Sequence, residues 1–204
     1  MHISWLGGTA IRIQTKPADA DITLLIDPYR PRTGAFPRSL APHIALFTRG
    51  EKDAITLSGN PFVLSTPGEC ETKGVLISAV YGENADHLLV RFDAEGLSGA
   101  HLGLTKKPLT DTQLEIVGDV DILFLPIGAK DAYDAEEAVR VVNAVEPRIV
   151  IPIGFKSDID PDAQTADAFL REMGVKADKP EPKIILKKKD LPQEETRVML
   201  LQKE

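Results

Sequence analysis

The chain has 204 residues, which is enough for one domain with a well-buried core and short for two. Its composition, 43% hydrophobic and 27% charged, is that of a soluble globular protein, and its net charge of −7 argues against nucleic-acid or acidic-membrane binding. One cysteine, Cys70, leaves no intrachain disulfide, and no apolar segment approaches the roughly 20 residues that span a bilayer. With no signal-peptide pattern at the start, these features predict a cytoplasmic protein with a single domain over residues 1–204.

Strands and turns are predicted for the first half of the chain. Two β-rich runs in HISWLGGTAIRIQT flank a tight turn at Gly7-Gly8, and the apolar run ITLLI ends at an Asp-Pro turn. Further strands are predicted for HIALFT, PFVLST, GVLISAV, HLLVRF and GAHLGL. In GVLISAV both alternating sets are largely apolar, so we expect this strand to be buried on both faces, with Val75 on one and Leu76 on the other.

Helices alternate with strands in the second half. LTDTQLEIVG is predicted as a helix with a capping box formed by Thr110 and Gln113, and DAEEAVRVVNAVEP as a second one, with Asp134 and Glu137 in the same roles. A third helix, in DAQTADAFLREMGV, ends at Gly174, and the strands DVDILFLPIG and RIVIPIGF lie between the helices. The order of elements predicts a mixed α/β sandwich with helices outside two sheets.

The C-terminal segment is predicted to contain two closing strands, KIILKKK and TRVMLLQ, for which a hairpin is one arrangement. The only dense basic run of the chain, Lys187–Lys189, lies at the end of the first of them. We interpret it as a solvated strand end, with an anion-binding patch as the alternative.

Several of these stretches resemble the metallo-β-lactamase-fold metallohydrolases, in particular their small ascorbate-phosphate-lactonase-like branch. ISWLGGTAIRI with LLIDPY is similar to the opening hairpin and third strand of that family, and residues 109–155 are similar to its second half. The resemblance covers about residues 2–156. It implies an αββα sandwich of two mixed sheets with helices outside and a metal site at one edge, between the sheets.

The family's first metal signature is Thr-His-x-His-x-Asp-His after a strand. It aligns with Thr48–Ala54, the end of the run LFTRGEKDA. Arg49, Glu51 and Ala54 stand at the three histidine positions, and only Asp53 matches a ligand of the family. The resemblance therefore implies a degenerate site at this loop.

Two further ligand positions of the family are also changed. The family's bridging aspartate, which follows His-Leu-Gly, aligns with Leu104, and its last histidine, which follows Ile-Pro-Met, aligns with Gly154. Neither residue offers a side-chain ligand, and Arg49 is permanently protonated, so it places positive charge where a dication would lie. These replacements predict a site without the family's metals.

The remaining charged residues leave three interpretations open. Glu51, Asp53, Glu69 and Glu71 could form a rearranged carboxylate site for Mg²⁺, Mn²⁺ or Zn²⁺. Alternatively, Arg49 pairs with Asp53 or a nearby glutamate and replaces the metal as a local stabilising contact. In the plainest interpretation these are solvated loop charges.

The functional hypothesis is a non-catalytic protein with this fold that binds a small anionic ligand or a protein partner, or self-associates as a homo-oligomer. Arg49 is the expected anion-binding group, because a guanidinium pairs bidentately with carboxylate or phosphate, and Asp53, Glu69 and Glu71 are further candidate contacts. The alternative is a metal-dependent hydrolase that uses the carboxylate-rich site. If Leu104 and Phe155 fill the cleft, a protein partner is favoured over a small ligand.

Overall fold

Two β-sheets face each other across a layer of branched aliphatic and aromatic side chains. The computed structural model describes residues 1–37, 40–176 and 178–204. The strands are β1 (His2–Gly7), β2 (Ala10–Thr15), β3 (Ile22–Ile26), β4 (Ile44–Leu46), β5 (Phe62–Leu64), β6 (Gly68–Thr72), β7 (Val75–Tyr81), β8 (Leu88–Ala94), β9 (Leu97–His101), β10 (Ile122–Pro126), β11 (Ile149–Ile153), β12 (Ile184–Ile185) and β13 (Arg197–Val198). The helices are α1 (Asp111–Val117), α2 (Ala135–Val145) and α3 (Asp167–Glu172), with 3₁₀ turns at Pro17–Asp19 and Lys188–Asp190.

Both sheets combine antiparallel and parallel pairs. The first has the order β12-β1-β2-β3-β4-β5, antiparallel up to β3 and parallel from β3 to β5. The second has the order β13-β11-β10-β9-β8-β7-β6, parallel from β13 to β9 and antiparallel from β9 to β6. The predicted α/β sandwich of two mixed sheets is therefore confirmed.

The two outer faces are covered differently. On the second sheet, α2 buries the side of its helix that carries Ala138, Val142 and Val145, in one cluster with Leu123 of β10. The outer face of the first sheet is covered instead by loop side chains, Phe36, Leu40, Ile55 and Leu57. Within the described residues, no helix is long and apolar enough to cross a membrane.

Parallel strands bring their carboxyl ends to one edge of the sandwich. The loops that follow β3 and β4 in the first sheet and β9, β10 and β11 in the second all supply residues to one cavity at this edge. Loops at the carboxyl ends of parallel strands are the common place for a ligand site in α/β folds. The fold thus brings three of the replaced metal positions, Arg49, Leu104 and Gly154, to one cavity.

Some local expectations were wrong. In β7, Val75 is buried but Leu76 is 39% exposed, and Val80 on the same face as Leu76 is only half-buried, so this strand is not buried on both faces along its whole length. The capping box of α1 is complete, whereas α2 has only the bond from the Glu137 amide to Asp134, because the Glu137 carboxylate pairs with Arg140.

The two closing strands do not form a hairpin. β12 pairs with β1 in the first sheet and β13 pairs with β11 in the second. The three lysines of the basic run are exposed, as predicted, but the run lies beyond the end of β12. Lys188 is in a 3₁₀ turn, and its ammonium contacts both carboxylate oxygens of Asp121 at 2.8 and 2.9 Å.

Candidate functional site

A cavity of about 490 Å³ opens at the edge where the loops converge. Three of the positions aligned with the family's metal ligands, Arg49, Leu104 and Gly154, line it. Leu104 is only one wall of the cavity and does not fill it. The other lining residues are Gly8, Thr9, Arg30, Arg32, Ala129, Lys130, Asp131, Asp160, Asp162 and Ala163.

The loop that carries Arg49 is held from below by a buried carboxylate. Asp27, which is 1% exposed at the end of β3, accepts hydrogen bonds from the Thr48 amide and the Thr48 hydroxyl, each at 2.7 Å. Both donors would be unpaired without it, because Thr48 is itself fully buried. Asp27 therefore fixes where β4 ends and where the Arg49 loop begins.

The floor of the cavity rests on a buried histidine. Nε2 of His101 lies 2.8 Å from the Thr9 carbonyl, and Nδ1 accepts the Gly103 amide at 3.1 Å. A carbonyl can only accept, so the proton is assigned to Nε2 and the ring is neutral. Burial lowers the pKa of His101, which agrees with that assignment. His101 thus places Thr9 and the chain leading to Leu104, and it has no nitrogen left for a ligand.

The charges at the cavity are mainly unpaired. Four cationic side chains line it: Arg30, Arg32, Arg49 and Lys130. Within the part of the chain that the structure describes, none of the four forms an ion pair. Three aspartates, Asp131, Asp160 and Asp162, also line the cavity. Asp131 pairs with Lys106, which lies outside it. Asp160 and Asp162 form no ion pair with the described residues either, so the lining has a formal excess of one positive charge, in a chain with a net charge of −7.

Arg49 does not pair with Asp53 or with a glutamate, so that interpretation of the loop was wrong. Its guanidinium lies over the ring of Tyr29, with Cζ 4.3 Å from the ring centroid. Asp53 is exposed, and Glu51 is exposed and accepts a hydrogen bond from the Ser65 hydroxyl at 2.8 Å. Neither carboxylate lines the cavity.

The expected carboxylate cluster is not assembled either. Glu69 and Glu71 are exposed on β6, the edge strand of the second sheet, where Ser78 lies 3.4 Å from Glu69. Cys70 points the other way and packs against the core, and burial, followed by the charge of Glu69, raises its pKa. In residues 1–37, 40–176 and 178–204, no three histidine, cysteine, aspartate or glutamate side chains lie together as a metal site.

The donor set at the cavity does not fit the metals that the fold family implies. Leu104 supplies no ligand atom, and Gly154 has a φ of +75°, a left-handed conformation in which a histidine would be strained. Arg49 adds a fixed positive charge, and two unit charges about 4 Å apart repel by about 4 kcal/mol at an effective dielectric constant of about 20.

Sequence reasoning missed most of the cavity wall. Arg30 and Arg32 belong to the Pro/Arg-rich stretch YRPR, whose density of arginine directly after a buried strand was the available signal. Lys130, Asp160 and Asp162 lie in ordinary polar loops, and only the meeting of five loops makes them neighbours.

Comparison with known proteins is consistent with this architecture. The family profile described as the beta-lactamase superfamily domain matches residues 2–154. A UPF0173 metal-dependent hydrolase of Methanosarcina mazei is 24% identical over 219 residues, which cover 87% of this chain and 93% of that protein. Among solved structures, a metallo-beta-lactamase superfamily protein of Thermotoga maritima superposes with a TM-score of 0.81 at 23% identity, covering 98% of both chains. A metallo hydrolase of Ignicoccus hospitalis gives a TM-score of 0.66 at 14% identity, covering 91% of this chain and 99% of the other. Since the profile spans most of the sequence and the sheets match, the chain belongs to the metallo-β-lactamase superfamily.

Proposed function

We propose that this chain is a non-catalytic member of the superfamily that binds a small anionic ligand in the edge cavity. The observation that carries the proposal is the character of the cavity wall. The positions of the family's metal ligands are occupied by Arg49, Leu104 and Gly154, and Arg30 and Arg32 converge on the same space without ion-pair partners.

The physical argument for an anion has two parts. The four cations of the cavity repel each other, the three lining aspartates offset part of that repulsion, and a bound anion offsets the rest. A guanidinium also presents a planar fork of N–H donors that matches a carboxylate or a phosphate bidentately. The volume of about 490 Å³ lies in the range of about 300–1,000 Å³ that is usual for small-ligand pockets.

The alternative function is metal-dependent hydrolysis, which the name of the Methanosarcina mazei relative suggests. It would need Zn²⁺, Mn²⁺ or Mg²⁺ at a rearranged site built on Asp53, Glu69 and Glu71. Those three side chains are exposed, and they are not gathered with one another in the described structure. The geometry therefore favours ligand binding over hydrolysis.

Metal content separates the two proposals. The protein is purified without chelators from cells supplied with manganese and zinc, and bound metal is measured by inductively coupled plasma mass spectrometry. We expect far less than one metal ion per chain. Stoichiometric metal that is lost in Asp53→Asn would establish the rearranged site and overturn the non-catalytic proposal.

Anion binding tests the proposal directly. Isothermal titration with inorganic phosphate and with citrate is expected to show saturable binding that weakens as salt concentration rises. Arg49→Ala should weaken it by about 10- to 100-fold, the usual value of a charge-assisted hydrogen bond. Lys52→Ala is the matched control, because Lys52 is exposed on the same loop and does not line the cavity. No binding of either anion, or equal effects of the two substitutions, would contradict the proposal.

The same Arg49→Ala variant should keep the stability of the wild-type protein. Arg49 is exposed and makes no ion pair with the described residues, and exposed substitutions of this kind usually change the free energy of unfolding by less than about 0.5–1 kcal/mol. We expect the melting temperature in the absence of anion to move by no more than a few degrees. A large drop would show that Arg49 stabilises the fold and not a ligand.

A further inference from the structure

The side chain under Arg49 is unusually well fixed. Tyr29 lies two residues beyond the buried Asp27, half-buried, with its ring centroid 6.0 Å from that of Phe47. Its hydroxyl accepts the Arg49 amide at 2.6 Å and donates to the Gly50 carbonyl at 3.1 Å. Burial raises the pKa of the Tyr29 phenol, so the hydroxyl keeps the proton that it donates to Gly50.

The backbone around Tyr29 is tied to the same loop. Tyr29 and Ala54 form an antiparallel bridge. On either side of it the Arg30 amide donates to the Asp53 carbonyl at 2.8 Å, and the Ile55 amide donates to the Pro28 carbonyl at 2.9 Å. The loop that begins at Arg49 is thus held at both ends by the segment that carries Tyr29.

We propose that Tyr29 is a positioning residue for the anion site: its ring holds the Arg49 guanidinium in place at the cavity wall, where the guanidinium N–H groups bind the ligand. This inference rests on the proposed function, since it concerns how the same cavity binds an anion. Tyr29 does not line the cavity, and it acts only through Arg49.

The physical gain is preorganisation. A free arginine side chain samples many rotamers, and ordering it during binding costs affinity. The contact with the Tyr29 ring restricts the guanidinium before the ligand arrives, and Arg49 forms no ion pair with the described residues, so it remains available for a bidentate contact with an anion. Tyr29 therefore lowers the conformational entropy that Arg49 loses when an anion binds.

A double-mutant cycle tests the proposal with inorganic phosphate and citrate as probes. Tyr29→Leu, which removes the ring, should weaken binding by about two- to five-fold, and Tyr29→Phe, which keeps the ring, should weaken it less. In the Arg49→Ala background, Tyr29→Leu should have no further effect, because the residue through which Tyr29 acts is absent. An equal loss in both backgrounds would overturn the proposal.

A stability control separates positioning from general loosening. Phe47→Leu shortens a side chain that is 2% exposed, packs against Tyr29 and does not line the cavity. We expect it to lower the melting temperature at least as much as Tyr29→Leu, with phosphate and citrate affinity unchanged. If affinity follows the melting temperature across both variants, the positioning role is excluded.

A second readout does not depend on any ligand. In a nuclear magnetic resonance spectrum of the arginine side-chain N–H groups, Arg49 should show a ring-current shift that disappears in Tyr29→Leu and persists in Tyr29→Phe. If this shift is present and neither anion binds, Tyr29 positions Arg49 but the proposed function is wrong. If the anions bind and the shift is absent, the proposed function stands and the positioning role of Tyr29 is overturned.

Discussion

At the scale of single residues, a neutral imidazole supports the floor of the cavity. His101 is fully buried, and its ring makes one donated and one accepted hydrogen bond, so a second proton on Nδ1 would break the bond from the Gly103 amide. Burial is the largest cause of its lowered pKa, and the charge of Asp27 opposes that shift in part. The native protein therefore binds fewer protons at this site than the unfolded chain does at mildly acidic pH.

The sign of the resulting pH dependence follows from that difference. The stabilisation by neutral His101 is fully present above the unfolded pKa of about 6.5 and declines as pH falls below it, by at most about 1.4 kcal/mol per pH unit. The melting temperature of the wild-type protein should therefore fall more between pH 7.5 and 5.5 than that of His101→Gln, which cannot titrate. Parallel melting-temperature profiles for the two proteins across this range would show that the pKa of His101 is not lowered in the fold, because the native and unfolded states would then bind the same number of protons at this site.

The sequence predicted some residues of the site but not the contacts between them. The replacements Arg49, Leu104 and Gly154 were predicted to share one site because each aligns with a metal ligand, and the structure brings the three together. The stacking of Arg49 on Tyr29 was not predictable, since it depends on how the loop after β3 bridges to the loop after β4. Pairing of Arg49 with Asp53 or a nearby glutamate was one of three interpretations of the loop, and in the structure the guanidinium contacts the Tyr29 ring instead.

At the scale of elements, periodic segments were predicted well and isolated short ones were not. α2 and the strands around it have a strong apolar repeat, and their bounds agree with the expectation. β12 and β13 contain two residues each, and their partners β1 and β11 are distant in sequence, so no local pattern could assign them to different sheets. No hairpin turn joins them, and the segment between them is held by the ion pair of Lys188 with Asp121.

That ion pair predicts a graded loss of stability. Asp121 is 5% exposed and accepts from the Ser98 amide at 2.9 Å as well as from Lys188, so Asp121→Ala leaves a partly buried amide unpaired. We expect Asp121→Ala to cost about 2–4 kcal/mol of unfolding free energy and Lys188→Ala about 1 kcal/mol or less, because the Lys188 side chain is largely exposed. Chemical denaturation measures both, with Lys189→Ala as the control that should cost almost nothing. Equal costs for Lys188 and Lys189 would exclude the contact.

At the scale of the whole molecule, the last residues of the chain join the two sheets at the cavity rim. Lys203 bridges to Trp5 of the first sheet through its backbone, and its ammonium contacts Asp158 at 2.8 Å and the Ala35 carbonyl at 2.9 Å. The loop before Ala35 is equally close to the loop after β11, because a Cβ on Gly34 would lie 2.8 Å from Ile159. The Lys203 ammonium therefore links the loop that carries Arg32 to the loop that carries Asp160.

Removal of the Lys203 ammonium should lower both the stability of the protein and its affinity for phosphate and citrate. Lys203→Met keeps the aliphatic stem and deletes an ammonium on a side chain that is 13% exposed, so we expect a loss of about 1 kcal/mol at neutral pH and weaker phosphate and citrate binding through the loosened Arg32 loop.

The hydrogen bond from Lys203 is the main cause that lowers the pKa of Asp158. The contribution of the pair is thus present above the unfolded aspartate pKa of about 3.9 and is lost as pH falls below it, so the difference in melting temperature between the variant and the wild type should shrink at pH 3. Lys187→Met, an exposed control on the C-terminal segment, should change neither property. A difference between Lys203→Met and the wild type that is the same at pH 7 and pH 3 would exclude the ion pair as its cause.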